Sequence, residues 1–483
     1  MSRVCIGFEV HQPYRISHEF DPIRSRQNRD LKSIYFTGRN REIFERIQEK
    51  CYVPATSLIL ELLDQDFRCA FSLSGTVVEQ MKEWGEESLE LFRQVARHRN
   101  AELLGQTYYH SLAGLFKDKR EFMEQVRLHR TMMKETFGVT PSIVENTEFI
   151  FDNSIAWAAK QLGFKGMYAE GVDRILEWRS PNYIYTCEGI PILLRNYRLS
   201  DDLAFRFSCR DWSEYPLTAD RFASWIAASP GDCIQLFIDY ETFGEHHWKE
   251  SGILEFLRWL PEELVQKGNE CILPSHAVEI EPRGELDFSE TTSWADVEKD
   301  TSAWLGNCKQ ETAFNAVETA AHLAGDRTIW RYLQTSDHFY YMATKHGSCG
   351  EVHSYFSQCA PFESFASYMR VLSDLEERAA KVKRSKGAAM ALRCLPPEKA
   401  FHFFSPYGYM GYSAYSLDEF AKLLEVVPVD SITHHCERGD FERWLSEVVE
   451  DPVLAGRVKG CRERHVLVEQ VNKRRAALWR RLK

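Results

Sequence analysis

Short runs in which apolar and polar residues alternate are interleaved along the first part of the chain with longer stretches of helical periodicity. Val4, Ile6, Phe8 and Val10 alternate as a strand does, and so do Phe67, Cys69, Phe71 and Leu73. Further strand-like runs cover 101–106, 142–145, 165–169, 232–238 and 271–273. Apolar residues at helical spacing fall near 55–64, 85–98, 120–137, 153–162, 217–227 and 252–265. Strand and helix in alternation argue for a parallel sheet with helical crossovers. About seven such units over residues 1–290 predict an α/β fold, a barrel, complete or incomplete, in preference to a doubly wound sheet.

The pattern then changes. Helical periodicity dominates 291–385, in Thr312–Gly325 and Glu363–Ala380, and predicts a helical bundle. The basic, polar stretch that starts at Lys381 leads into Leu395-Pro-Pro397, and 386–400 reads as a linker. The remainder, 401–483, reads as a small, mainly helical module. It opens with the aromatic, turn-rich Phe401-His-Phe-Phe-Ser-Pro-Tyr-Gly-Tyr409, continues through a capping-box pattern at Ser416–Glu419, and ends in a basic amphipathic helix near Val468–Leu482.

Composition narrows the function classes. A net charge of −11 argues against nucleic acid as a partner, because a phosphate backbone calls for a basic face. No apolar run approaches the ~18 residues that span a bilayer, and the start reads directly as a strand with no signal-peptide pattern. Thirteen cysteines, an odd number with no Cys-x-x-Cys pair, predict buried thiols and a cytoplasmic protein, with neither a disulfide framework nor a zinc ribbon. A neutral, polyhydroxylated ligand fits this balance.

Polar residues with catalytic potential sit just after the strand-like runs. His11-Gln-Pro13 follows the first, Ser74-Gly75 the second, Gly105-Gln-Thr-Tyr-Tyr-His110 the third and Asn146-Thr-Glu148 the fourth. Glu170-Gly171 follows the fifth, and Asp239-Tyr-Glu-Thr-Phe-Gly-Glu-His-His247 follows the long apolar run at 232–238. The carboxyl ends of barrel strands open onto one face, so these residues are expected to converge. Several carboxylates, histidines and aromatics in one pocket suit cleavage of a glycosidic bond, which needs one carboxylate as nucleophile or base and one carboxylic acid for the leaving oxygen. Asp239 and Glu241, two apart, could each raise the other's pKa.

Five stretches in order resemble the sequence regions of glycoside hydrolase family 57: Val10–Arg15, Gly105–His110, Glu145–Ile150, Ile238–His246 and Thr335–Met342. Ser293–Asp296, Ser302–Asn307 and Val352–Phe356 resemble its α-amylase and α-amylase-like branch, and the likeness covers roughly 1–380. The resemblance implies an incomplete seven-stranded (β/α) barrel, a helical bundle that completes the substrate cleft, and a retaining mechanism on α-1,4 glucans. It places the nucleophile on Glu148 and the acid/base on Asp239, with carboxyls about 5–5.5 Å apart. His11, Gln12, His110, Glu241, His246, Trp304, Asp337 and His338 are the expected contacts to an α-glucan or maltooligosaccharide. No cofactor and no metal are expected. Some members of this branch lack one or both catalytic residues; this chain has both. The 401–483 module carries no implied activity.

Plainer readings stand beside these. His11 and His110 could be core histidines with satisfied hydrogen bonds, and Glu148 could cap the helix that begins near Asp152. Asp239 could be a buried structural Asp, Asp337-His338 a pair on a helix surface, and Trp294 and Trp304 bundle core. Trp212, Trp248 and Tyr109, flanked by turns, are candidates for sugar stacking. Three rivals to an α-amylase-type hydrolase remain at this point: a 4-α-glucanotransferase with the same pair, a non-catalytic glucan-binding protein, and a metal-dependent deacetylase. The last would need an Asp/His triad, and the His-x-x-x-His spacing typical of such sites is missing.

Overall fold

The structure is a computed structural model that describes residues 3–25, 27–345 and 359–482, so Val352–Phe356 lies outside the described residues. It divides into two compact units. The first comprises the chain up to Tyr14, Gly38–Ala303 and Gln334–Ser336. Its strands are β1 (Arg3–Val10), β2 (Cys69–Leu73), β3 (Ala101–Leu103), β4 (Ile143–Val144), β5 (Gly166–Glu170), β6 (Tyr185–Cys187), β7 (Ile190–Arg195), β8 (Cys233–Asp239) and β9 (Glu270–Cys271). Seven of them run parallel in the order β3-β2-β1-β8-β7-β5-β4. β6 pairs antiparallel with β7, and β9 joins only the first two residues of β1. The barrel is thinly stitched in two places. β7 meets β8 through the single pair Arg195↔Gln235, and the chain after β3 meets β4 through the bridge Gly105↔Val144.

β7, like the short β6, is a strand that the hydrophobic pattern does not reveal. Gly189 and Pro191 read as loop, yet Pro191 stands second in a strand whose neighbour on that side, β6, is short, and so its missing N–H costs little. The seventh strand-like run, 271–273, contributes only the short β9. The helices fall where periodicity places them, among them Val53–Leu63, Glu86–Arg97, Arg120–Phe137, Asn153–Gln161, Ala219–Ala228 and Ile253–Gln266.

Strands of this barrel are buried on both faces, as parallel strands under helices are. Val4, Ile6 and Phe8 join the layer beneath the helices, whereas Cys5, Ala70, Tyr168, Leu193 and Phe237 pack together as a separate interior cluster. Gly7, in register with Phe237, leaves room for that ring: a Cβ on Gly7 would stand 2.4 Å from it. Gly7→Ala is therefore expected to destabilise the barrel by about 1–3 kcal/mol through overpacking, read as a lowered denaturation midpoint.

The second unit comprises Arg15–Thr37, Trp304–Leu333 and the chain from Asp337 onward. Cys308–Ala320 and Pro361–Val382 are its long central helices. A hairpin of β10 (Phe401–Ser405) and β11 (Gly408–Ala414) precedes helices at Leu417–Val426, Val429–Arg438, Asp440–Glu447, Pro452–Val458 and Arg464–Leu482. Within the stretch read as a linker, Lys386–Leu392 is a helix, and its residues 388–392 are buried in one core with Leu323, Phe401, Phe420, Trp444 and Leu478. The basic residues around Lys381 masked an apolar segment, Ala-Ala-Met-Ala-Leu, that packs like any core helix. Lys383 Nζ donates to the carbonyls of His322 and Leu323 at 2.9 and 2.8 Å. Among the described residues, no helix is long and apolar enough to cross a membrane.

Candidate active site

Parallel register carries chemistry into one layer at the top of the barrel. Glu9 is paired with Asp239 on one side and Ser72 on the other, and Glu170 is paired with Arg195. Glu9 and Glu170 are buried, inside a sheet, where a carboxylate has no water to solvate it. Glu145, also buried, accepts from Ser72 Oγ at 3.0 Å, and Gln106 Nε2 donates to the same hydroxyl at 2.9 Å.

Glu148 stands where the backbone after β4 turns sharply. It and the following Phe149 have φ of 59° and 53°, in the left-handed region that non-glycine residues seldom occupy. Such strain is held in place only when surrounding contacts over-determine it. Here Trp294 N donates to the Glu148 carbonyl at 3.1 Å, and the indole stacks on Phe149 at 4.9 Å. Trp294 Nε1 donates to Glu148 Oε2 at 2.8 Å, and Ser336 Oγ donates to Oε1 at 2.9 Å. The helix at Asn153 is capped instead by Asp152, which accepts from Ile155 N at 3.0 Å, so the capping alternative for Glu148 does not hold.

Ser336 reaches this place because Gln334–Ser336 lies along the loop after β3. Gln334 O accepts from Leu112 N, Ser336 N donates to His110 O, and Thr335 Oγ1 donates to Tyr109 O, each at 2.9 Å. His110, with φ 47°, places Nδ1 3.2 Å from Glu9 Oε1 and Nε2 3.5 Å from Glu148 Oε1. Its ring stacks on His11 at 3.9 Å, and His11 Nδ1 is 2.8 Å from Ser74 Oγ.

Asp239 ends β8, half-buried. Burial and then the negative charge of Glu148 push its carboxyl up to about 7; Arg195 and His110 pull the other way. Burial pushes Glu145 up to about 7 and, despite a 2.5 Å hydrogen bond from Tyr52 Oη, Glu241 to about 8. Glu9 is pushed well above its usual range by burial and by four neighbouring carboxylates. One carboxylate held by two donors thus lies within electrostatic reach of one carboxylic acid poised near neutrality. That is the division of labour that glycosidic cleavage requires.

Arg195 braces the far side. It donates to Glu170 Oε2 at 3.0 Å, Asp201 Oδ1 at 2.6 Å and the Phe237 carbonyl at 2.8 Å, and it lies 5.4 Å from the Trp294 ring centre. Lys299 Nζ donates to the Trp294 carbonyl at 2.9 Å. Arg195→Met would leave the buried Glu170 and the half-buried Asp201 with Lys299 as their remaining ion-pair partner and is expected to cost about 3–5 kcal/mol, measurable by denaturant titration.

Of the residues singled out from sequence, the structure brings together His11, His110, Glu148 and Asp239. Gln12 is buried at the Glu241 carboxylate, beside Tyr52. His246 is exposed beside Glu245 and His247, and His247 Nε2 meets the carbonyls of Leu203 and Ala204. Trp304, Asp337 and His338 belong to the second unit. Trp304 is fully buried, Asp337 Oδ1 accepts from Tyr341 Oη at 3.4 Å, and His338 Nε2 lies 3.1 Å from the Tyr332 carbonyl. Trp212 packs on Trp225, Tyr109 is buried, and Trp248 is exposed beneath Lys50. Among the described residues, no group of three or more His, Cys, Asp or Glu is arranged to hold a metal ion.

Sequence reasoning missed Glu9, Glu145, Arg195, Trp294 and Ser336 as members of the site. Glu9 carried a usable signal, a lone carboxylate inside an otherwise apolar strand. Glu145, Trp294 and Ser336 stood within stretches quoted for the family likeness, but what each touches is set by the fold, and Arg195 is brought in by a strand distant in the chain.

A parallel barrel with carboxylates gathered at its strand ends fits a glycoside hydrolase. The profile of "Glycosyl hydrolase family 57" matches residues 5–289, and the chain belongs to that family. It is 45% identical over 394 residues to a Methanocaldococcus jannaschii protein named "Putative alpha-amylase", a match covering 77% of this chain and 84% of that one. Its fold is similar to that of a family 57 branching enzyme from Pyrococcus horikoshii, with a TM-score of 0.57 and 12% identity over 81% of this chain and 90% of the other. A branching enzyme from Thermococcus kodakaraensis, solved in complex with glucose, gives a TM-score of 0.55 with 13% identity over 80% and 90%.

Proposed function

We propose that this protein is a cytoplasmic retaining α-glucan hydrolase of the α-amylase type that cleaves α-1,4 bonds by double displacement. The reading is carried by one observation: Asp239 is lifted to about 7 beside a Glu148 that is held by two hydrogen-bond donors. Glu148 attacks the anomeric carbon while Asp239 gives its proton to the departing glycosidic oxygen, leaving a β-glycosyl ester. Asp239, now a carboxylate, then takes a proton from water as the water oxygen attacks the same carbon and the Glu148 carboxylate departs. Trp294 and Ser336 stabilise that carboxylate as it leaves. Trp294→Phe keeps the ring and removes the donor; kcat on maltoheptaose is expected to fall about 10- to 100-fold, with the glycosyl ester accumulating in mass spectra.

The 45% identical relative named for α-amylase supports the hydrolase reading, and the thiol-rich interior, with Cys5 and Cys233 sulfurs 3.8 Å apart, supports a reducing compartment. Incubation with maltoheptaose and soluble starch, with products resolved by chain length, tests it. Shorter products are expected. Longer products would instead establish a 4-α-glucanotransferase, in which a sugar hydroxyl replaces water in the second step.

The raised carboxyls also set a pH dependence of stability. Glu145 in the fold holds its proton up to about 7, against an ordinary value of 4.5. Its contribution is therefore fully present below pH 4.5 and is lost as pH rises through 7. Glu145→Gln, which cannot ionise, is expected to be about 2 kcal/mol more stable than wild type at pH 8 and no more stable at pH 4. Thermal melts at the two pH values check this.

A further inference from the structure

The hairpin of the second unit presents an aromatic surface that the catalytic reading does not use. No Asp, Glu, Lys or Arg occurs between Lys399 and Asp418, in a chain that is 27% charged. Within that stretch β10 alternates strictly. Phe401, Phe403 and Ser405 point inward, and His402 and Phe404 point out. Phe401 and Phe403 pack on Phe420 and Phe441, and Phe401 also on Trp444, so the inner face is accounted for.

The outer face is not. Phe404 lies directly opposite Tyr409, their ring centres 5.5 Å apart, and His402 lies opposite Ser413. Phe404 is 42% exposed, Tyr409 53%, and Tyr407, in the two-residue turn, 95%. The polar groups between the rings are oriented rather than loose. Ser413 Oγ is 2.8 Å from Tyr409 Oη and 2.7 Å from His402 Nδ1, and His402 Nε2 is 3.2 Å from the Pro397 carbonyl. With Nε2–H donating to that carbonyl, Nδ1 accepts from Ser413, and Ser413 in turn accepts from Tyr409. This fixes the tilt of the Tyr409 ring and leaves its oxygen able to accept a further hydrogen bond.

The platform is rigid at its edge as well. His435 Nε2 accepts from Phe404 N at 2.8 Å, and His435 Nδ1 donates to Asp440 at 2.8 Å. The Phe404 amide is thus already used, which works against strand addition by a second copy of this chain at β10. The patch also lacks the basic residues that hold a helix or loop on an anionic membrane. What remains is a rigid, uncharged face of aromatic rings with hydroxyl and imidazole groups at their edges. That matches a neutral ligand whose flat faces are C–H and whose rims are hydroxyl, namely a glucan chain.

We propose that His402, Phe404, Tyr407 and Tyr409 form a non-catalytic docking platform for α-glucan polymer. The choice of α-glucan rests on the function proposed above. The platform serves long or insoluble chains, because a short oligosaccharide gains little from a second anchorage.

The test uses the full-length chain. Adsorption to starch granules is measured in the Glu148→Gln background, which prevents turnover, for the unaltered hairpin, for Tyr407→Ala, and for Phe404→Ser/Tyr407→Ala/Tyr409→Ala. Maltoheptaose turnover is measured for the same hairpin variants with Glu148 intact. The expected result is that adsorption falls at least tenfold in the triple variant and about threefold in Tyr407→Ala, while kcat on maltoheptaose stays within twofold. Tyr407 is almost wholly exposed, so its loss cannot act by unfolding the module. Turnover of maltoheptaose together with unchanged adsorption in the triple variant would overturn the platform and leave the proposed function standing. Hairpin-dependent adsorption without any turnover would do the reverse. A loss of dimer in sedimentation on altering the hairpin would show that the face binds a second copy, and would also overturn the proposal.

Discussion

Glu148→Gln is expected to lower kcat on maltoheptaose by about 10⁴-fold or more while leaving the fold and oligosaccharide binding intact. The physical reason lies in the two donors on its carboxylate. Trp294 Nε1 and Ser336 Oγ aim the oxygens, and the left-handed backbone at 148 and 149 places them. An amide of the same shape keeps one of the two hydrogen bonds and the steric fit, but its oxygen is a poor nucleophile and cannot depart as an anion. Chromatographic resolution of products, with Kd for maltoheptaose measured on the variant by calorimetry, separates the two effects. A variant that turns over within tenfold of wild type would remove Glu148 from the nucleophile role. A wild-type protein that binds maltoheptaose and never cleaves it would sink the hydrolase reading as a whole, in favour of a glucan-binding protein.

The second large effect belongs to Asp239. Its carboxyl, raised to about 7, is still largely protonated at pH 6 and mostly ionised at pH 8. An acid that must hand over its proton is therefore lost as pH rises, and the wild-type kcat profile is expected to fall tenfold per pH unit above 7. Asp239→Asn removes both the proton and the later base. A loss of about 10²–10⁴-fold is expected, with the basic limb of the profile flattened. Glycosides with a good phenolic leaving group need little protonation, so the first step on such substrates is expected to suffer far less than on maltoheptaose. An Asp239→Asn profile that retains the wild-type limb near pH 7 would assign that limb elsewhere. Glu145 and Glu241, pushed to about 7 and about 8, are the groups to examine next.

These expectations depend on residues that differ in how readable they were. Glu148 and Asp239 stood at the ends of apolar runs, within motifs that resemble those of a family to which the chain belongs. Their neighbours followed a different logic. Glu9 meets Asp239 because β1 and β8 are adjacent and in register, although 230 positions separate them. Arg195 enters through β7, which Pro191 and the preceding Gly189 hid from the pattern. Trp294 was weighed as a packing residue, and only its indole hydrogen bond to Glu148 shows what it does for the site.

Local periodicity determined where most strands and helices lie, β6, β7 and the helix at Lys386–Leu392 excepted, because burial of one face per element is decided within a dozen residues. It also determined the class of the barrel, because alternation of strand and helix leaves few topologies. Charge and cysteine usage set expectations about partners and compartment on composition alone. Tertiary structure decided the rest: the strand order, the union of Lys386–Leu392 with the core of the final module, the gathering of Glu145, Glu148, Asp239 and Glu241 around Glu9, and the resulting rise of Asp239. A pKa is set by solvent removed and charge brought near, and both are properties of neighbours in space. No reading along the chain contains those distances.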